Sequence, residues 1–245
     1  MNPYKITEPT CISFSGGRTS AYMLWRVLNE NGGIPEGSIV TFANTGKEDS
    51  KTLDFVQDCR IAWNVPIVWL EYGRGVVNFI TASRNGEPFD LLTTKKSYLP
   101  NPIARFCTQE LKIKVIEKHV GDMPMMLGIR ADEPRRAAKM PQHVLPLVAD
   151  GITKSDVMAF WAKQPFDLRA EAGNCDLCFL KGSSELMGLI RKQPERAVWW
   201  AKQEEKIGGT FRSDRASYGE MFENAMNQTD MFGYEDPKIE CFCGD

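Results

Sequence analysis

The stretch CISFSGGRTSAYMLW, Cys11 to Trp25, runs from an apolar segment through Ser-Gly-Gly straight into a helical repeat. A strand that turns at once into a helix leaves the first backbone N–H groups of that helix unpaired. They stand at the positive end of the helix dipole and bind an anion there. Gly16 and Gly17 remove the Cβ atoms that would hold a phosphate away, and Ser15, Thr19 and Ser20 add hydroxyl donors. A tight turn followed by a helix cap would use the same residues. Neither a Gly-x-Gly-x-x-Gly nor a Gly-x-x-x-x-Gly-Lys occurs in the chain, so neither of those phosphate loops competes.

The strand-to-helix change recurs. Strand patterns fall at 11–15, 38–43, 66–71, 123–129 and 143–148. Helical patterns lie between them: Ala21, Leu24, Trp25 and Leu28 in 19–30, Phe55, Cys59 and Ala62 in 50–63, and Ile113, Ile116 and Val120 in 108–120. Strand and helix in alternation predict an α/β fold, a doubly wound, mostly parallel five-stranded sheet of Rossmann-like kind. After Asp150 the pattern changes to helices near 153–163, 183–192 and 194–207 and then a loop-rich tail. The expected organisation is a nucleotide-binding domain over 1–150 and a helical, cysteine-bearing extension over 151–245.

Composition narrows the setting. The 245 residues carry a formal charge of −2, with 25% charged and 42% hydrophobic residues, as in ordinary soluble chains. The longest apolar run, Val157 to Ala162, is far short of a bilayer span, and the first ten residues contain no apolar core of a signal peptide. The expectation is a cytoplasmic protein without membrane partners, its seven cysteines reduced or bound to metal. Charge is unevenly spread. Between Lys95 and Lys139 ten Lys and Arg face five acids, a local net of +5 that leaves the rest of the chain near −7. In a doubly wound sheet such loops gather at the carboxyl edge, where ligands bind. A contiguous basic surface could equally hold a nucleic-acid backbone. Lys114 and Lys118, four residues apart, read as a solvated helix face, and Asp132 and Glu133 as local partners of the neighbouring arginines.

Cys175 and Cys178 have the two-residue spacing that lets two sulfurs grip one metal, and Cys241 and Cys243 stand near the end of the chain. Four thiolates can close a zinc site or hold an iron–sulfur cluster. Cys107, two residues from Arg105 at a predicted helix start, is placed to favour its thiolate. Cys11 and Cys59 lie in apolar patterns and are expected in the core.

Four segments in order carry a resemblance. SFSGGRTS (13–20) resembles the Ser-Gly-Gly-x-Asp-Ser signature of the PP-loop superfamily of ATP pyrophosphatases and phosphoadenylyl-sulfate (PAPS) reductases. FANTGKEDSKTLDFV (42–56) resembles its second-strand Asp-Thr-Gly motif, RFCTQELKI (105–113) its Arg-x-Cys-Thr-x-x-Leu-Lys segment, and GIRADEPRR (128–136) its Gly-Ile-Arg-x-Asp-Glu-x-Arg loop. The match covers about residues 10–140 and implies the adenine nucleotide alpha-hydrolase-like fold. It implies an adenine nucleotide (PAPS, adenylyl sulfate or ATP) bound by Ser15, Gly16, Gly17, Arg18, Thr19, Ser20, Thr45, Gly46, Arg105 and Arg136. Cys107, Lys112 and Arg130 would carry the chemistry. In adenylyl-sulfate reductases a cysteine pair matching position 107 and a later Cys-x-x-Cys hold a four-iron cluster. Here Cys107 is followed by Thr108, so Cys107, Cys175, Cys178, Cys241 and Cys243 compete for four places around a [4Fe-4S] cluster or zinc.

The departures define the alternatives. Thr19 stands where the pyrophosphatases have Asp, which bears on whether Mg2+ and ATP are used. The chain ends Glu240-Cys241-Phe242-Cys243-Gly244-Asp245 where the reductases carry Glu-Cys-Gly-Leu-His. The first expectation is an oxidoreductase that reduces an adenylylated sulfate with a thioredoxin-like thiol donor. The second is ATP-dependent sulfur insertion into tRNA or DNA, a sulfurtransferase with a nucleic-acid acceptor. The third is a nucleotide-binding accessory protein without turnover. A homodimer is compatible with each.

Overall fold

A computed structural model describes residues 2–169 and 175–227 of the chain. Five strands, β1 (Cys11–Ser13), β2 (Ile39–Asn44), β3 (Val68–Glu71), β4 (Gly75–Val77) and β5 (Met125–Leu127), form one sheet in the order β4-β3-β2-β1-β5. All neighbours run parallel except the β3–β4 hairpin. Ile12 stands beside Val40 on one side and Met126 on the other, and Phe42 beside Trp69. Successive strands β1, β2 and β3 step one way, whereas β5 returns to the far side of β1. The order therefore reverses between β1 and β5, and a doubly wound sheet opens its ligand crevice at such a point.

The sheet has helices on both faces, as expected of an α/β fold. Helices α1 (Arg18–Asn31) and α2 (Ser50–Ala62) follow β1 and β2, and α3 (Glu87–Lys96) follows the hairpin. A helical run over 106–120 comprises α4 (Phe106–Thr108), a π-turn (Gln109–Ile113) and α5 (Lys114–Val120). Short helices α6 (Pro134–Ala137) and α7 (Pro146–Ala149) and the longer α8 (Lys154–Trp161) come next, then α9 (Ser183–Lys192), α10 (Glu195–Ile207) and α11 (Tyr218–Met226).

Because side chains alternate along a strand, the sheet divides its apolar residues cleanly. Ile12, Phe14, Val40, Phe42, Trp69 and Met126 face α1 and α2, with Trp161 of α8 closing the layer against Phe55 at 5.0 Å between ring centroids. Cys11, Ala43 and Leu70 face the other way, onto Ile116 of α5. A second core joins α3 to α9, α10 and α11 through Phe89, Trp200, Phe211 and Tyr218. Its buried Glu204 accepts the backbone N–H of Phe211 and Tyr218 at 3.1 and 2.8 Å, and burial pushes its carboxyl above the usual range. Packing on the first core continues through Leu168.

Three expectations need correction. The strand expected at 143–148 is not formed: Val144 makes an isolated bridge to Met126, and Pro146 then opens α7. Proline has no N–H for a ladder and its φ suits the first turn of a helix. The fifth strand is instead β4, antiparallel at the sheet edge. The tail after 207 contains α11, capped by Ser217 and Glu220 in a reciprocal capping box. Ala62, placed with Phe55 and Cys59 in the sequence pattern, is exposed.

Candidate functional site

The carboxyl end of β1 leads through Phe14–Gly17 into α1. Gly16 has φ +82°, and a Cβ there would lie 2.9 Å from Phe42 and from Thr52, so the turn needs glycine on both counts. Ser15 donates its backbone N–H to Ser20 Oγ at 3.1 Å, the two hydroxyls lie 2.9 Å apart, and Ser20 Oγ reaches Gly17 O at 3.1 Å. This hydroxyl chain fixes the loop over the start of a 14-residue helix. Gly128, after β5, approaches so closely that a Cβ would lie 2.8 Å from Ser20 Cα. The glycine of the GIRADEPRR segment is thus required by the seating of one loop on the other.

A cleft of about 230 Å³ opens beside this junction, over β1 and β5. Ser15 and Ser20 stand at its wall with Lys112, Arg136 and Lys139, and Ile113, Ile116, Met125 and Leu127 supply an apolar side. His143 also lines it, and burial holds its imidazole below the ordinary value. Glu117 is an acid in the same wall. Lys112 comes from the π-turn, a local widening of a helix often found at functional sites. Its Nζ lies 3.1 Å from Glu48 Oε1.

Behind the loop, buried Arg130 donates from Nη1 to Thr19 Oγ1 (3.1 Å) and from Nε to Asp132 Oδ1 (2.9 Å). Glu133 accepts from the Arg130 N–H and from Arg136 Nη1, both at 3.0 Å. Asp132 and Glu133 therefore hold the arginine loop together. Arg18 is engaged bidentately by Asp167 at 2.7 and 2.8 Å, and its Nη2 also donates to Leu168 O. A carboxylate already balances that charge. Arg105 precedes α4 and donates from Nε to Pro102 O at 3.3 Å.

Thr45 and Gly46 belong to a neighbouring cluster at the end of β2. Asn44 bonds Glu71 Oε1 (2.6 Å), Ser83 O (2.9 Å) and Gly46 N (3.1 Å), which fixes the turn. Thr45 Oγ1 donates to Glu48 Oε1 at 3.1 Å and lies 3.7 Å from Cys175 Sγ. The C-terminal helices dock here. Lys47 pairs with Asp176 at 2.9 Å with both side chains buried, and its Nζ stands 4.9 Å from the centroid of the Trp199 ring. Asp49, the N-cap of α2, pairs with Arg196 at 2.6 Å. Glu48 thus connects Lys112 of the cleft to the Cys175 segment.

Cys107 and Cys175 are half-buried and Cys178 is buried, all three packed into or against the second core. Among the described residues no three Cys, His, Asp or Glu gather closely enough to hold a metal. Cys241 and Cys243 lie outside the described residues. Cys11 and Cys59 are core residues, and burial pushes both thiols up. Among the described residues, no helix is long and apolar enough to cross a membrane.

Sequence reasoning missed Lys47 and Asp49, whose partners Asp176 and Arg196 lie far along the chain, and Glu48, which pairs with Lys112 of another segment; nothing local announces any of them. It also missed Lys139 and His143 as cleft residues. No family model matches the chain. Among curated proteins, the "Uncharacterized nin region protein ORF290" of Escherichia phage lambda is 32% identical over 207 residues, spanning 75% of this chain and 70% of that protein.

Proposed function

Since the chain belongs to the family of the nin region protein ORF290 of phage lambda, whose name specifies no activity, we propose a function from the site itself: binding an adenine nucleotide and reducing the sulfate it carries. The observation that carries the reading is the cleft at the strand-order reversal. Beside the start of α1, it combines two serine hydroxyls with Lys112, Arg136, Lys139 and an apolar wall. Phosphates belong at Ser15–Ser20, where backbone N–H groups and dipole favour negative charge. The base belongs against Ile113, Ile116 and Met125.

In this reading a cysteine thiolate attacks the sulfate sulfur. The S–O bond to the nucleotide phosphate breaks, and the nucleotide leaves with the electron pair. A second thiolate then attacks the cysteine sulfur, a disulfide forms, and sulfite departs with its electron pair. A dithiol donor reduces the disulfide. Lys112 and Arg136 offset the charge that builds on the leaving phosphate. Cys107, preceding Thr108 of the cleft wall, is the candidate nucleophile among the described residues. A cluster or zinc would draw on Cys241 and Cys243 as well, since the described residues alone do not form such a site, and no step is routed through one. The ATP-cleaving alternative is less well served, because position 19 offers a hydroxyl already bonded to Arg130 where those enzymes have a carboxylate.

The test is to titrate ATP, adenylyl sulfate and its 3′-phosphate form, then assay sulfite release with a thioredoxin-like donor. Sulfite from a sulfated nucleotide, with nucleotide affinity at least about tenfold lower in Lys112→Ala and unaltered in Lys118→Ala, is the expected result. AMP and pyrophosphate formed from ATP only with nucleic acid present would replace the reading with sulfur insertion. Tight binding without product would replace it with an accessory role.

A further inference from the structure

A second and larger cavity, about 710 Å³, lies on the same sheet face but on the opposite flank of α5, between that helix, α3 and the β3–β4 hairpin. It shares no lining residue with the nucleotide cleft. We propose that this groove binds single-stranded nucleic acid, with a base on the apolar floor and phosphates on the lysine rim. The inference does not depend on the reaction assigned to the first cleft, although an occupant here would give the sulfur-insertion alternative its acceptor.

Two observations select that occupant. The first is charge. Lys95 stands on α3 and Lys114 and Lys118 on α5, all three exposed and all lining the groove. Its two acids are already matched: Glu71 by Arg74 at 2.5 Å, and Glu110 by Lys114 at 2.9 Å and Lys96 at 3.5 Å. Three lysines thus line the groove with two carboxylates, both of which are already paired, and among the described residues Lys95 and Lys118 have no carboxylate partner. His119 is the remaining titratable group on α5 here. The second is the floor. Tyr72 lines the groove, half-buried, beside Leu70 and Val115, with Leu91 and Val76 exposed at 47% and 60%. An aromatic and aliphatic floor between lysines suits a flat base with a phosphate at either side. Such stacking is sequence-tolerant and its electrostatic part is salt-sensitive. Lysines, being point charges without a planar fork, hold a backbone without reading sequence. The volume is within the range of pockets that take a small organic group.

The experiment is fluorescence anisotropy of a labelled single strand of about twelve nucleotides with the full chain, at roughly 50 and 200 mM salt. Binding should weaken with salt. The triple variant Lys95→Glu, Lys114→Glu, Lys118→Glu should lose at least about tenfold in affinity and lower the salt slope by about 2. The Gln triple, which avoids new repulsion with Glu110, should lose less affinity but shift the slope alike. Tyr72→Leu should cost about tenfold at unchanged slope. Lys51→Glu with Lys192→Glu, on another surface, should leave binding unaltered, as should saturating ATP. The proposal is overturned by absence of binding at low salt, by an equal loss in the Lys51 and Lys192 pair, by displacement with ATP, or by poly-glutamate competing as well as the nucleic acid at equal charge.

Discussion

The two faces of the sheet are built from the same strands and finished differently. On one face α1 and α2 lie side by side, α8 packs on α1 with the Phe160 ring centroid 4.6 Å from that of Trp25, and Phe14, Phe42, Phe55, Trp69 and Trp161 interlock ring to ring. On the other, α5 supplies the helical side chains that cover Cys11, Ala43 and Leu70. Five strands about 4.8 Å apart make a face roughly 19 Å wide, whereas a helix with its side chains is about 10–12 Å across. One helix cannot close that width, and a cleft remains along each flank. The closed face supplies stability; the open face supplies room, and its flanks are where the cations stand.

Mutations can test that division. The largest effect is expected from Trp161→Ala. It removes a side chain only 2% exposed, its ring contacts with Phe55 and Phe166, and its bond to Arg18 O at 3.0 Å. Denaturant unfolding should show a loss of about 3–5 kcal/mol. Ile113→Ala on the open face should cost no more than about 1 kcal/mol, because that residue is half-buried and borders the cleft. Its effect should instead appear as weaker nucleotide binding. Equal losses of stability would mean that the second face is as tightly finished as the first.

Gly128→Ala follows in size. Its Cβ would meet Ser20 backbone at 2.8 Å, which has no flexible end to give way. The expected cost is about 1–3 kcal/mol, together with loss of nucleotide affinity as the two loops separate. Full affinity in a folded Gly128→Ala protein would detach the Ser15–Ser20 loop from the binding function. Arg18→Ala and Asp167→Asn probe the edge of the closed face. Both side chains are partly exposed, at 25% and 40%, and screening keeps the pair to about 1 kcal/mol or less by double-mutant cycle. If Arg18→Ala instead abolished nucleotide binding at unchanged stability, Arg18 would act on the ligand and not on Asp167.

How much of this was legible in the sequence follows from the range of the interactions. Helices α1 and α2 stand within a residue or so of their periodic patterns, because an amphipathic stripe is a local signal. The parallel strands were visible as short apolar runs. β4 was not, since its Gly-Val-Val is exposed at an edge and has no alternation to display. The segment at 143–148 looked like a strand by composition, and Pro146 decided otherwise. At the site, Ser15, Ser20, Lys112 and Arg136 were legible from spacing and resemblance, and they do share a cleft. Lys47–Asp176 and Asp49–Arg196 were not, because a tertiary ion pair leaves no periodicity in either partner. The division of the open face into two clefts was equally hidden: it depends on how many helices cover a sheet, which no single segment encodes.

The smallest expected effect is also the most specific to the open face. His143 lies in the cleft wall, where burial, partly opposed by the nearby charge of Glu117, holds its pKa below the ordinary value near 6.5. A neutral folded imidazole beside a more readily protonated unfolded one has a definite linkage. As pH falls through 6.5 the unfolded chain takes up the proton first, so stability is lost on acidification until the folded pKa is also passed. Carboxylates elsewhere titrate lower and mask the effect in the wild type alone. The comparison must therefore be with His143→Gln, whose melting temperature should fall less than the wild type's between pH 7.5 and pH 5.5. Parallel curves would place His143 in water rather than in a cleft. A bound nucleotide phosphate should reverse the sign: an anion beside the imidazole favours its protonated form, so the wild type should gain affinity on acidification while His143→Gln does not. Identical pH profiles with and without ligand would show that the phosphate does not stand beside the His143 wall of the cleft.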